Sequence, residues 1–201
     1  MNQTHTELIV LVDDDGAPIG TAGKLASHHA QTPMHLAFSC YVFDERGRLL
    51  VTRRAADKLV WPGVWTNSVC GHPAPGESLR AAIERRLSYE LGMGARDIEL
   101  ILPRYRYRAP PFRGIVEHEF CPVFVADADG EPQPNPTEVA DFAWIDWSEF
   151  VQAAAADTAD VYSWWCKDQV AHLGQKKGRP LSRPPQRGSD GHVRRARSSG
   201  R

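Results

Sequence analysis

Short apolar or alternating runs recur along most of this chain, and turn residues close each one. That rhythm commits the chain to a sheet before any single residue is weighed. The runs are ELIVLV (7–12), HLAFSCYVF (35–43), LLVTRR (49–54), VWTNSVC (64–70), IELILPRYRYRA (98–109), IVEHEFCPVFVA (115–126) and EVADFAWI (138–145). Between them stand DDDGAP, DERGR and DADGEPQPNP, whose Gly, Pro and Asp favour turns. One segment has a different period. After PAPGES, residues Leu79, Ala82, Ile83, Leu87 and Leu91 recur at helical spacing and Gly92 supplies a stop, so a helix is expected there. Two more are expected over about 147–155 and about 159–173. No internal repeat is evident. The expected class is α+β, a mixed β-sheet sandwich flanked by helices.

A chain of 201 residues, 42% hydrophobic and 24% charged, can bury one core without disulfides. One domain over 1–173 is expected, followed by a tail. From Gly174 onward there are nine Lys/Arg against Asp190 alone, so the tail carries +8 and the body −9. Those residues are rich in Gly, Pro and Ser and nearly free of large apolar side chains, so a disordered tail is expected over 174–201. A basic tail can meet nucleic acid or anionic membrane, but a solvated end is the simpler reading, and neither partner is expected. The apolar run Leu8 to Val12 is too short for a signal peptide or a span. A cytoplasmic monomer is expected, with Cys40, Cys70, Cys121 and Cys166 as free thiols, since they show neither paired nor zinc-finger spacing.

Glu117 and Glu119 are two apart in IVEHEF, so on a strand both carboxylates leave one face and His118 the other. Set among apolar neighbours, such a pair repels and loses hydration unless a cation lies between. An ordinary exposed strand with Glu at alternate positions is the equal alternative. His28, His29 and His35 in SHHAQTPMH and His72 in CGH add imidazoles, and together with the two carboxylates they suit a transition metal such as Zn or Mn. Spacing does not choose between His28 and His29. Glu90 stands at the edge of the apolar stripe of the long helix. With Arg85 and Arg86 on that helix, and Lys24, Arg53, Arg54 and Lys58 elsewhere, it offers what a diphosphate needs: an acid for Mg²⁺ and cations to share the charge. A plain charged helix face is again the alternative.

The stretch Gly71-x5-Glu77-x7-Arg85-Arg86-Leu87-x-Tyr89-Glu90-Leu91-Gly92-Met93 resembles the Nudix box, with Arg86 and Tyr89 where Nudix hydrolases keep glutamates. The ordered set HLAFS, LLVTRRA, WPGVWTNSVCGHP, GES, RRLSYELG, YRYRA and GIVEHEFCPVF resembles a narrower family, the type I isopentenyl-diphosphate delta-isomerases of bacteria. The likeness runs from about Thr21 to Trp165.

The resemblance implies a Nudix-like fold and isomerisation of isopentenyl diphosphate to dimethylallyl diphosphate in isoprenoid biosynthesis. It implies that Cys70 and Glu119 are the catalytic pair and that Tyr107 assists. It implies Mn²⁺ or Zn²⁺ on His28, His35, His72, Glu117 and Glu119, and Mg²⁺ on Glu90 and the main-chain carbonyl of Cys70. Lys24, Arg54, Lys58 and Arg86 match positions facing the diphosphate, and Trp165, beside Trp164, matches the aromatic over the isoprenoid. Two other readings stay in view: a Nudix hydrolase of an organic diphosphate, favoured by the partial box, and a metal-binding interaction module with a basic tail, favoured by the histidines.

Overall fold

The computed structural model describes residues 7–175. The disordered tail expected over 174–201 therefore lies, from residue 176, outside the described residues, and the last helix runs two residues beyond the expected domain end.

Two sheets carry the chain. The first has the order β2-β1-β3-β10-β9, with β1 Leu8–Val12, β2 Pro18–Gly23, β3 His35–Leu36, β9 Arg106–Arg108 and β10 His118–Phe120. The second has seven strands on the path β12-β5-β4-β11-β8, with β6 paired to β5 and β7 to β4. Its members are β4 Phe38–Phe43, β5 Arg48–Arg54, β6 Trp65–Thr66, β7 Val69–Gly71, β8 Gly94–Leu102, β11 Val123–Asp129 and β12 Val139–Asp146. Both sheets are mixed, because β10 runs parallel to β3 and β11 parallel to β4.

The period of two along β4 divides the core. Phe38, Cys40 and Val42 face α2 (Leu79–Leu91), joining Ile83, Leu87 and Leu91 in one buried cluster. Tyr41 and Phe43 turn to the other face, where α3 (Trp147–Ala156) and α4 (Trp164–Gln175) bring Phe150, Trp165 and Val170. All six β4 residues are buried, as a strand covered on both faces requires. Helix α2 has the expected ends: Ser78 Oγ accepts from Ala81 N at 3.2 Å, and Gly92 at φ 58 closes the last turn by donating to Ser88 O at 3.1 Å, a left-handed cap that glycine adopts without strain.

The structure departs from the sequence reading at several points. The runs 35–43, 64–70, 98–109 and 115–126 are each two strands, not one. The break in 64–70 has a visible cause. Where β4 and β5 diverge, side chains replace the ladder: Ser68 Oγ donates to Leu50 O and accepts from Val42 N, while Asn67 Nδ2 donates to Cys40 O. The helix expected from about 159 begins at Trp164, because Asp157 gathers the amides of Ala159, Val161 and Tyr162 into a turn, and Trp65 N then bonds Val161 O. Strand β2 and the short helix α1 (Lys24–Ser27) were not expected. The run PIGTAG lacks the large alternating residues that reveal a strand.

Candidate active site

A cavity of about 750 Å³ opens beside the second sheet and collects residues from every part of the fold. Lys24, His28, Arg54, Lys58, Cys70, His72, Arg86, Glu90, Tyr107, Glu117, Glu119 and Trp165 all line it. His35, fully buried, stands behind the wall.

Register explains the convergence. Glu119 on β10 is the cross-strand partner of His35 on β3 and of Tyr107 on β9, so residues far apart in sequence share one face. The two oxygens of Glu119 then meet different groups. Oε2 accepts from the Tyr107 hydroxyl at 2.9 Å; Oε1 lies 3.1 Å from His72 Nε2 and 3.8 Å from His35 Nε2. His28 Nε2 lies 3.6 Å from Glu117 Oε2. The choice between the adjacent histidines is settled by α1, whose end turns His28 inward. His29 is exposed, and its ring accepts from Gln31 N.

These five side chains fit a divalent cation. His28 Nδ1 faces Lys24 O at 2.6 Å and His35 Nδ1 faces Pro33 O at 3.0 Å, which keeps the proton on Nδ1 and the Nε2 lone pair inward. Nε2 of His35 and Nε2 of His72 are 3.1 Å apart. Bonds of ~2.1 Å to one ion set adjacent ligands about 3 Å apart. Among the described residues, the buried atoms Glu117 Oε2 and His72 Nδ1 find no hydrogen-bond partner, a cost that ligation by Glu117 would relieve.

The electrostatics of the protein alone say the same. Burial drives the His35 imidazolium down to about 4, helped by the charge of His72. Burial and then Lys24 take His72 to about 3. Burial also opposes charge on His28, but the Glu117 carboxylate outweighs it and holds His28 above its ordinary value. Glu119 is pushed up to about 7 by burial and by Glu117, against His35 and the Tyr107 hydroxyl. A cluster in which His35 and His72 resist protonation beside two carboxylates fits a cation.

Cys70 sits on β7, opposite Ser39 of β4 in register. Its thiol donates to Asn67 Oδ1 at 3.0 Å and lies 3.4 Å from Ser39 Oγ. Burial lifts it to about 11, with Glu119 and Glu90 adding to the effect and the bonds to Ser39 and Asn67 opposing it. Burial thus disfavours the thiolate at Cys70.

The opposite wall is cationic. Arg86 donates to Glu90 Oε1 at 2.7 Å and to Glu138 Oε2 at 2.8 Å, and Lys58 also pairs with Glu138. Gly71 permits this packing, since a Cβ there would stand 3.2 Å from Arg86 Cγ. Arg54 donates to Trp61 O at 3.0 Å and Val60 O at 2.9 Å, and its guanidinium lies 5.5 Å from the centre of the Trp165 ring. Lys24 pairs with Glu7 at 2.9 Å. Glu138 and Glu7 were missed from sequence. Each has only an ordinary strand-start context, and its partners come from other elements. Burial raises Glu90 above the ordinary carboxylate range, and Glu138 adds to this.

The two departures from the Nudix box are now concrete. Arg86 puts a guanidinium between Glu90 and Glu138, and Tyr89, 53% exposed, packs its ring 5.3 Å from that guanidinium. Neither position offers a metal ligand for a hydrolytic cluster. Of the two tryptophans, Trp165 lines the cavity. Trp164 instead meets the Tyr107 ring, with centroids 5.7 Å apart.

Comparison with known proteins agrees with this geometry. Residues 33–165 match the NUDIX domain family. An isopentenyl-diphosphate Delta-isomerase of Saccharopolyspora erythraea is 54% identical over 178 residues, covering 89% of this chain and 91% of that one. Its counterpart in Mycolicibacterium vanbaalenii is 53% identical over 174 residues, covering 86% and 95%. Among solved structures, DR0079 from Deinococcus radiodurans superposes with a TM-score of 0.63 at 18% identity, covering 83% of this chain and 98% of that one. A MutT protein from Methanosarcina mazei gives 0.52 at 17%, covering 73% and 99%; these two show the shared fold.

Proposed function

Because the chain belongs to the Nudix family, and within it to the isopentenyl-diphosphate Delta-isomerases, it interconverts isopentenyl and dimethylallyl diphosphate, and we propose that Cys70 and Glu119 move the two protons. The observation that carries this assignment is the division of Glu119, one oxygen on the Tyr107 hydroxyl and the other in the histidine cluster, with the Cys70 thiol in the same cavity. The two isomers differ by the position of one double bond, so one carbon gains a proton and another loses one. Two groups on opposite faces keep each transfer short and aligned.

Glu119 serves one carbon as the carboxylate member of the pair, placed in the cavity between the Tyr107 hydroxyl and the histidine cluster. The Tyr107 hydroxyl fixes its Oε2 and relays a proton to the alkene. Cys70 serves the other carbon. His28, His35, His72, Glu117 and Glu119 hold Mn²⁺ or Zn²⁺, and Glu90 with the Cys70 carbonyl holds Mg²⁺. Bound there, the ions supply positive charge that tunes Glu119 and neutralises the diphosphate. Lys24, Arg54, Lys58 and Arg86 grip the diphosphate oxygens. Metal analysis of purified protein tests the ligand set: Mn or Zn is expected to stay through desalting and Mg to be lost, and a desalted chain with neither Mn nor Zn would sink the cluster assignment.

An unactivated alkene is a poor base, so its protonation passes through a cation or a state close to one. The Trp165 indole walls that cation without attacking it. A desolvated cation–π contact contributes ~2 kcal/mol, about 30-fold in rate. Trp165→Phe is therefore expected to keep much of the activity and Trp165→Ala to lose about 30-fold in kcat. Normal turnover by Trp165→Ala alongside a crippled Trp164→Ala would move the role to Trp164.

A further inference from the structure

Helix α4 buries the stripe Trp165, Cys166, Gln169, Val170 and Leu173. Gln169 is out of place there. It is wholly buried among apolar neighbours, it does not line the cavity, and an apolar side chain would avoid the desolvation of its amide. Both polar atoms of its amide nevertheless have a partner. The Tyr41 hydroxyl donates to Gln169 Oε1 at 2.9 Å, which orients the amide so that Nε2 donates to Ser39 Oγ at 2.9 Å. Ser39 in turn reaches the Cys70 sulfur at 3.4 Å. The same oxygen lies 3.5 Å from the Cys121 sulfur.

A second chain arrives from the start of the same helix. Ser163, whose Oγ accepts from Cys166 N at 3.4 Å, lies 2.8 Å from Thr66 Oγ1. Thr66 donates to Asn67 Oδ1 at 3.0 Å, and that oxygen also takes the Cys70 thiol. Asn67 cannot turn, because its Nδ2 donates to Cys40 O at 3.1 Å and Val69 O at 3.0 Å. Cys70 Sγ thus donates on one side to Asn67 and meets on the other the Ser39 hydroxyl, which it shares with Cys121, and both partners are braced by α4.

We propose that Gln169 is a positioning residue for the isomerisation, acting through Ser39 to hold the Cys70 sulfur in its reactive orientation. The proposal rests on the reading of Cys70 as a catalytic group. A thiol on a strand end otherwise samples several χ1 wells. Here two buried hydrogen-bond chains select one, and satisfied polar networks of this kind rigidify a site. Because Trp165 projects from the same helix, one element sets both the thiol and the aromatic wall. Gln169 touches neither the cavity nor the cation ligands, so its loss reaches the chemistry through the sulfur and leaves substrate binding alone.

The test is steady-state kinetics on the metal-loaded enzyme carrying Gln169→Leu, Tyr41→Phe or Cys70→Ala. Misplacing a reacting group by ~1 Å costs on the order of 100-fold, so Gln169→Leu is expected to lower kcat about 10- to 100-fold with KM within about twofold. Tyr41→Phe removes only the hydroxyl that orients the amide, and a several-fold fall in kcat is expected. The proposal is overturned if folded Gln169→Leu keeps kcat within about twofold of the parent, or if its loss appears as a raised KM at unchanged kcat. Should Gln169→Leu fail to fold, an unchanged kcat in Tyr41→Phe overturns it. Inert Cys70→Ala beside normal relay variants rejects the relay alone, whereas active Cys70→Ala rejects the catalytic assignment and the relay with it.

Discussion

Replacing Cys70 by alanine abolishes turnover, by ~10⁴-fold at the upper end of what a positioned acid/base group contributes, while the protein keeps its fold and its metal. The magnitude follows from the surroundings of the sulfur. Its neighbours Ser39 and Asn67 are neutral and already committed, Asn67 by both amide hydrogens and Ser39 by Gln169, so neither substitutes as a proton carrier. The structural cost is small. With the thiol gone, Asn67 Oδ1 still accepts from Thr66 at 3.0 Å and Ser39 Oγ from Gln169 at 2.9 Å, and about 2 kcal/mol of stability is lost with the two hydrogen bonds of the sulfur. Circular dichroism, metal analysis and kcat measured on one preparation check all three statements. Loss of the tightly held metal in Cys70→Ala would make Cys70 a ligand and refute the assignment.

The second large effect separates the two carboxylates of β10 and the residue before it. Glu119→Gln keeps the shape and the hydrogen bond from Tyr107 but removes a group that can take up a proton, and it weakens a cation ligand. A fall of ~10³-fold or more in kcat is expected, and excess Mn²⁺ does not restore it. Glu117→Gln removes a proposed ligand that carries no proton to the substrate, the one whose Oε2 stands buried without a hydrogen-bond partner. Metal affinity is expected to drop about 10- to 100-fold, as for other losses around a metal shell, and excess Mn²⁺ brings kcat back. Full rescue of Glu119→Gln by metal would mean that Glu119 serves the ion alone.

What the sequence could reveal followed the range of the interaction concerned. Helix α2 was legible because its apolar stripe and its Gly92 stop are local. The pairing of Glu117 with Glu119 was legible for the same reason, through the period of a strand. Asn67 and Ser68 hid the break between β6 and β7, since a polar side chain that replaces a ladder bond looks like any other strand residue. Spacing did not tell His28 from His29; the family resemblance chose His28, and at the end of α1 it is the His28 ring that turns inward. Glu138 was invisible because its partners, Lys58 and Arg86, come from a loop and from α2. The roles given to Cys70, Tyr107 and Trp165 came from family resemblance; the contacts of Tyr107 with Glu119, and of Cys70 with Ser39, depend on strand registers that no local pattern encodes.

The departures in the Nudix box bear on the chemistry as a whole. A hydrolase keeps carboxylates where this chain has Arg86 and Tyr89, and here those two side chains pack on each other. That corner of the site presents a guanidinium and an aromatic ring in place of two carboxylates. The most direct test is incubation of the purified enzyme with isopentenyl diphosphate and Mg²⁺ in D₂O, followed by proton and phosphorus NMR. The account predicts deuterium in the carbon skeleton of dimethylallyl diphosphate with the diphosphate intact. Release of phosphate with no deuterium in the isoprenoid would contradict it.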